Sequence, residues 1–141
     1  MAFSLYDATV ANYLQILGAA GAFLDKSLAH FREKGIDPAD VVETRLASDM
    51  LPFRFQIVSL AHHSRGAMEA AKNGVFVPPS GRPDLDYTAL QALVAEAGNE
   101  LAALTPEAVN ALVGRDVTFK IGDRWTDSVY LTLEAANFAK G

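Results

Sequence analysis

The chain has 141 residues, half of them hydrophobic and 21% charged, which fits one globular domain over residues 1–141. A formal charge of −5 without a dense Lys/Arg stripe argues against nucleic acid and acidic membrane surfaces as partners. The absence of cysteine excludes disulfides, thiolate metal sites and cysteine nucleophiles.

The N-terminus and the most apolar run predict a cytoplasmic protein. The stretch MAFSLYDATV has no basic region ahead of an apolar one, so it lacks the pattern of a signal peptide. The run YLQILGAAGAFL contains Gln15 and has about 12 residues, whereas a transmembrane helix needs about 20. We therefore expect a soluble protein without a membrane span.

The first predicted helix runs from about Asp7 to Lys34. Asp7 is expected to cap its start, and Gly35 to end it. Its apolar residues recur mostly in alternating steps of four and three, at Val10, Leu14, Leu17, Gly21, Leu24, Leu28 and Phe31. Only a bundle hides so long a stripe well, which predicts an all-α fold.

Two further helices are predicted next. A short one begins with Asp37 as cap and Pro38 in the first helical position, where the missing N–H costs nothing. A long one runs to Asn73, with Ser48 or Asp49 as its cap.

The proline-rich stretch 75–84 predicts a loop, which separates the long third helix from a fourth. The fourth helix is expected over about 85–104, with its apolar residues on one side. A short fifth helix has Thr105 as cap, and Gly114 is expected to end it.

The only β-strand signal is the alternating stretch DVTFKIGDRWT. It predicts a hairpin that turns at Gly122-Asp123, since a Gly-X pair suits a type II′ turn. The remaining stretch, SVYLTLEAANFAKG, predicts a last helix capped by Asp127 or Ser128.

The adjacent histidines His62 and His63 in the third helix raise the question of a metal or catalytic site. Because a helix turns about 100° per residue, they cannot share a face, and helical ligands come three or four residues apart. With Ile57 at the middle of the core face, His62 lies about 140° to one side and His63 about 120° to the other. This geometry favours surface or rim positions over metal ligation.

His62 shares a flank with Leu51, Phe55 and Val58, which form a second apolar strip. A helix that is apolar on two flanks often packs against two different elements, one on each flank. Two explanations stay open: the short second helix or the hairpin folds over the strip, or the strip lies in a subunit interface.

The last predicted helix carries a polar stripe of Tyr130, Glu134 and Asn137. If this stripe faced the bundle interior, Glu134 would be a buried carboxylate and a candidate acid, base or metal ligand. If it faced water it would mean little. The sequence therefore assigns no catalytic residue and no metal ligand, and leaves His62, His63 and Glu134 as weak metal candidates.

Four stretches together span nearly the whole chain: SLYDATV, GIDPADVVETRLASDMLPFRFQ, the VTF…W hairpin and YLTLEAANF. Together they resemble an uncharacterised bacterial family within the DinB/YfiT-like superfamily. The most specific positions are Ser4-Leu5-Tyr6-Asp7, Arg45-Leu46, Asp49-Met50, Pro52 and Gln56. The resemblance implies an up-and-down four-helix bundle with a short extra helix and one hairpin, and dimers are common in the superfamily.

The superfamily's active members bind a divalent metal through three histidines and include thiol-dependent transferases. One histidine comes from the second long helix and two, about four residues apart, from the last. Here the last predicted helix has no histidine, and the sequence ends at Gly141, before a histidine-bearing stretch that the family pattern carries. The chain thus resembles a shortened member in which His62 or His63 is at most a remnant ligand.

Two functional hypotheses follow. The first is a non-catalytic DinB-like bundle, or one with a degenerate metal site and no bound metal, that acts through a homodimer or a small-molecule pocket. The short last helix supports the dimer, because it leaves apolar stripe on the longer helices uncovered. The second is a divalent-metal-dependent enzyme, a thiol-dependent transferase or hydrolase, with ligands from His62, Glu134 and a partner subunit.

Overall fold

Helices dominate the part of the chain that the computed structural model describes, which is residues 3–122 and, by backbone alone, 124–129. Within this part, no helix is long and apolar enough to cross a membrane. In chain order the helices are α1 (Asn12–Lys34, preceded by the π-helical segment Asp7–Ala11), α2 (Pro38–Glu43), α3 (Phe53–Ala61, continued by the π-helical segment His62–Gly66), α4 (Ala67–Asn73), α5 (Tyr87–Ala102) and α6 (Pro106–Asn110).

A small sheet of three strands accompanies the helices, in the order β1 (Val75–Phe76), β2 (Thr118–Ile121) and β3 (Arg124–Val129). β1 pairs parallel to β2, and β2 and β3 form the predicted antiparallel hairpin. At its turn Gly122 has a φ of 57°, which favours glycine. The predicted hairpin is confirmed.

The second hairpin strand continues further than the sequence predicts. Because β3 extends to Val129, Asp127 and Ser128 lie in a strand and do not cap a helix, so that prediction is wrong. A register shift at Thr118 lets the pairing with β2 continue to Val129. The rest of the predicted last helix, with Tyr130, Glu134 and Asn137, lies outside the described residues.

A capping box holds the start of the first helical segment. The Ser4 hydroxyl accepts the backbone N–H of Asp7 at 3.1 Å, and the Ser4 N–H donates to the Asp7 carboxylate at 3.1 Å. Asp7 therefore lies in the first turn, and the prediction that it is the N-cap is corrected. Hydrogen bonds from the Ser4 side chain and backbone lower the pKa of the Asp7 carboxyl.

The start of α3 also differs from the prediction. Pro52, in an extended conformation, directly precedes the helix, and neither Ser48 nor Asp49 caps it. Both residues lie in the irregular segment before Pro52. The pyrrolidine ring restricts the backbone there and disfavours helix one residue earlier.

Replacing Ser4 with alanine should lower the free energy of unfolding by about 1 kcal/mol, because it removes the hydroxyl that accepts the Asp7 N–H and donates to the Asp7 carboxylate. The matched control is Asp49→Ala, since Asp49 caps no helix. It should stay within about 0.5 kcal/mol of the unmodified protein. Urea unfolding followed by circular dichroism measures both, and a larger loss for Asp49→Ala would contradict these assignments.

The core lies along a row in which α5 packs between α1 and α3. The Tyr87 hydroxyl of α5 donates to the Leu24 carbonyl of α1 at 2.8 Å, and burial raises the pKa of Tyr87. Gln91 adds a second link by donating to Asp25 at 2.7 Å. These bonds fix the register of α5 along α1. The largest fully buried side chains are Leu24, Leu90, Leu101, Val10, Val94, Val109 and Val117.

Candidate ligand-binding site

Both histidines lie where the long helix between Phe53 and Asn73 departs from regular α-helical geometry. The segment His62–Gly66 is π-helical, and its buried Ser64 hydroxyl donates to the Leu60 carbonyl at 2.8 Å. A side-chain donor can satisfy a carbonyl where the backbone ladder is disturbed. Such π-helical turns are frequent at functional sites.

His62 ties this helix to the chain that follows it. Its Nε2 lies 2.5 Å from the Val77 carbonyl oxygen, which can only accept, so Nε2 carries the proton. The ring packs against Phe76 with 5.0 Å between centroids. Its Nδ1 faces Gly66, where an added Cβ would lie 3.4 Å from that nitrogen. The half-buried ring is therefore engaged on both sides by the protein.

His63 is exposed and bonds within its own helix. Its Nδ1 lies 2.8 Å from the Ser59 carbonyl and 3.1 Å from the Ser59 hydroxyl. Because a carbonyl only accepts, Nδ1 is the protonated nitrogen and cannot take a proton from Ser59. The pair is therefore not a nucleophile with its general base.

The two histidine rings are steeply inclined to one another, and their unprotonated nitrogens are at different ring positions. The rings are 5.7 Å apart and inclined at 76°. The unprotonated nitrogen of His62 faces Gly66, whereas that of His63 is its exposed Nε2. Among residues 3–122, no three His, Asp or Glu side chains form a group that could hold a metal. Glu134 lies outside the described residues, so its part in a metal site stays a prediction.

A cleft of about 390 Å³ opens beside His62, and we call it the histidine cleft. Its walls come from the long helix, the proline-rich loop and α5. The lining residues are Val58, Ala61, His62, Arg65, Val77, Pro78, Pro79, Ser80, Arg82 and Leu93.

Two guanidinium groups line the histidine cleft, and carboxylates hold both. Arg65 donates from Nη1 to Glu100 at 3.2 Å, and Arg82 donates from Nε and Nη2 to Asp84 at 3.0 and 2.9 Å. The hydrogen bonds from Arg82 lower the pKa of Asp84, and the same bonds raise the pKa of Arg82. Nη2 of Arg65 and Nη1 of Arg82 have no hydrogen-bond partner among the described residues, so they can donate to a ligand.

The predicted apolar strip on the long helix is divided between two surroundings. Val58 is buried and, with His62, forms one wall of the histidine cleft, whereas Leu51 remains exposed. The cleft wall that faces Val58 and His62 comes from the loop over residues 77–82. Sequence reasoning offered the short helix or the hairpin as the cover and missed this loop.

Sequence reasoning also missed the two arginines of the cleft. Arg82 lies in a loop whose course no periodicity reveals, and Arg65 looks like an ordinary helix-surface residue. One local signal was present, since Gly66 follows His62 by four residues, the spacing at which helical side chains are neighbours. A glycine there leaves room for a ring that lies against the helix.

These features define a mostly helical domain with a ligand-sized cleft beside its long, locally π-helical segment. The chain belongs to the DUF1993 family, because the model of this domain of unknown function matches residues 5–139. This confirms the expectation of an uncharacterised family that spans nearly the whole chain. No curated protein and no solved structure matches it.

Proposed function

We propose that this protein is a non-catalytic helical domain that binds a small molecule in the histidine cleft. The observation that carries the proposal is the cleft itself, about 390 Å³, within the usual range of small-molecule sites. Val58 and Leu93 give it apolar surface, and Arg65 and Arg82 supply N–H donors that have no partner among the described residues. A ligand with an apolar ring or chain and an acidic group matches this lining.

The cleft is preformed, which favours binding over chemistry that needs mobile groups. Pro78 and Pro79 restrict the loop backbone, and the bond from His62 to Val77 fixes the start of the loop. A site that is already ordered loses less entropy when it takes a ligand. Both histidines have one ring nitrogen committed to a backbone carbonyl, which supports a structural role for them.

Benzoate, which joins an apolar ring to a carboxylate, is the probe for this cleft. Titration followed by NMR should give saturable shifts of the Ala61 and Leu93 amides. Arg65→Gln should weaken binding about tenfold, because a hydrogen bond to a charged group contributes about 1.5–3 kcal/mol. The control Arg32→Gln removes the same charge from the last turn of α1, outside the cleft, and should leave binding unchanged.

Two results would contradict the proposal. One is the absence of saturable shifts at cleft residues. The other is equal weakening by Arg65→Gln and Arg32→Gln, which would mean that only net charge matters. Arg82→Gln repeats the test on an exposed loop residue, where loss of folding is not expected.

A DinB-like four-helix architecture in a single domain over residues 1–141 forms part of the proposal. α5 packs between α1 and α3, as three neighbours in such a bundle would. The helix predicted from the final segment is the candidate for the fourth helix. Because no membrane-spanning helix occurs among the described residues, we also propose a cytoplasmic protein.

A twofold homodimer that buries about 1,200 Å² or more is the second part of the proposal. Its support is that Ile16 and Phe23, seven residues apart, lie on one exposed face of α1. Phe23→Glu should convert the dimer to a monomer in sedimentation at tens of micromolar, whereas Val113→Glu, also on an exposed residue, should not. A monomeric unmodified protein at that concentration would contradict the dimer.

A further inference from the structure

We propose that a second concavity, at the corner between α2 and α3, binds the hydrocarbon part of a small neutral molecule. We call it the corner pocket; its volume is about 320 Å³, and none of its lining residues is charged. Phe31, Val41 and Phe53 are partly buried and belong to the margin of the core, so they form its inner wall. The corner pocket shares no lining residue with the histidine cleft, so a substitution in one lining leaves the residues of the other unchanged.

Large aliphatic side chains are exposed around the mouth of the corner pocket. Leu46 is 90% exposed and Leu51 is 49% exposed, and Ile36 and Met50 are exposed as well. A single exposed leucine is ordinary, but a group of them around one concavity marks a binding surface. Their side chains supply the apolar contacts that a hydrocarbon ligand would cover.

The two polar side chains of the corner pocket already donate hydrogen bonds to carbonyls within the protein. Thr44 donates its hydroxyl to the Asp40 carbonyl at 3.0 Å, and Gln56 donates from Nε2 to the Leu51 carbonyl at 3.1 Å. Gln56 keeps a second N–H and its carbonyl oxygen, but no charged side chain lines the pocket, so a charged ligand group would lose its water without gaining an opposite charge. The chemistry of the lining therefore selects hydrocarbon.

Hydrogen bonds brace the segment that forms the outer rim. Arg45 donates from Nη1 to the Met50 carbonyl at 2.9 Å, and the Phe53 N–H donates to the Thr44 carbonyl at 2.8 Å. The Met50 N–H donates to the Ala47 carbonyl at 3.1 Å. This bracing holds the irregular segment in place between α2 and α3, and a preformed pocket binds at a lower entropic cost.

The size and lining of the corner pocket favour a small molecule over a protein partner. A volume of about 320 Å³ lies near the lower end of the range for small-molecule sites. A stable protein interface has a polar rim with about one hydrogen bond per 100–200 Å². Here Thr44 and Gln56 instead donate to backbone carbonyls of the protein itself. An aliphatic alcohol satisfies this lining, because its chain fills the pocket and its hydroxyl stays at the solvent-exposed mouth.

Octan-1-ol is the probe, titrated into the full chain and followed by NMR. We expect saturable shifts of the Val41, Leu46 and Leu51 amides. Leu51→Asp should weaken binding at least tenfold, because it places a charge on the rim. The matched control is Val113→Asp, since Val113 is 48% exposed, close to the 49% of Leu51, and lies outside the pocket. This control should leave the octanol affinity unchanged.

Leu46→Ser is the second variant, and its site is so exposed that folding is not at risk. It should weaken octanol binding several-fold. Absence of saturation up to the solubility of octanol would overturn the proposal, as would equal affinities for Leu51→Asp and Val113→Asp. Shifts of the same amides that grow with protein concentration alone would also overturn it, because a second copy would then occupy the pocket. Whether benzoate binds in the histidine cleft does not change how any of these octanol results is interpreted.

Discussion

Replacing Leu90 with alanine should lower the free energy of unfolding by about 2–5 kcal/mol, the range for removing a large aliphatic side chain from a core. Leu90 is fully buried in α5, and this helix packs between α1 and α3. A void at that position has helices on two sides, each tied to other elements, so the surroundings can relax only partly. Urea unfolding measures the loss, and the midpoint should fall without a change in the slope.

The control for this substitution is Leu46→Ala, the same chemical change at a residue that is 90% exposed. It should alter the free energy of unfolding by no more than about 0.5 kcal/mol. Comparable losses for the two variants would contradict the placement of α5 in the middle of the core.

His62→Ala is expected to have the next largest effect, a loss of about 1–2 kcal/mol. It removes the hydrogen bond to the Val77 carbonyl and the packing of the ring on Phe76. Because that bond and that packing hold β1 and the loop after it against the helix, β1 should separate from β2 more often. Hydrogen exchange at the Thr118 amide, which donates to the Gly74 carbonyl at 2.8 Å, should therefore become faster.

His63→Ala provides the matched comparison on the adjacent residue. Its hydrogen bonds reach only Ser59 in the same helix, and its exposed ring lies 5.6 Å from that of Phe76, so its loss should cost less than the loss of His62. Exchange at Thr118 should become faster by less than in His62→Ala, because the bond from His62 to the Val77 carbonyl is kept. If the two histidines acted together as metal ligands, both substitutions would instead have similar effects in the presence of metal.

Local features of the fold could be predicted from the sequence. Asp37 accepts the Ala39 N–H at 2.9 Å, and Thr105 accepts the Ala108 N–H at 3.2 Å, as their positions before a proline and an apolar run predict. Gly35 ends α1 with a φ of 66°, which glycine adopts without strain. Each of these depends on residues within one turn of the chain.

Features that depend on distant partners could not be predicted. β1 has two residues, too few for an alternating pattern, and exists because Val75 lies opposite Thr118. The continuation of β3 through Asp127 and Ser128 likewise depends on pairing with β2. In both cases the strand is set by tertiary contacts, which outweigh local propensity.

One part of the candidate site could be predicted from the sequence, and the rest could not. Helical geometry alone places His62 and His63 on different sides of the core face. The cleft beside His62 also needs the course of residues 77–82, which brings Arg82 near Arg65 from a loop without periodicity. The corner pocket was missed because its residues come from three segments, each of which shows only ordinary apolar positions.

The central claim is that each of the two histidines donates one ring N–H to a backbone carbonyl of the protein, while the cleft beside His62 binds a small molecule. Its most direct test is the protonation of the imidazole nitrogens, read by two-bond nitrogen–proton NMR at pH 8, where imidazoles are ordinarily neutral. The chain has only three histidines, so the spectrum can be assigned. We predict Nε2–H for His62 and Nδ1–H for His63, both unchanged by one equivalent of Zn²⁺. Nitrogen shifts of both rings on addition of zinc would contradict the account.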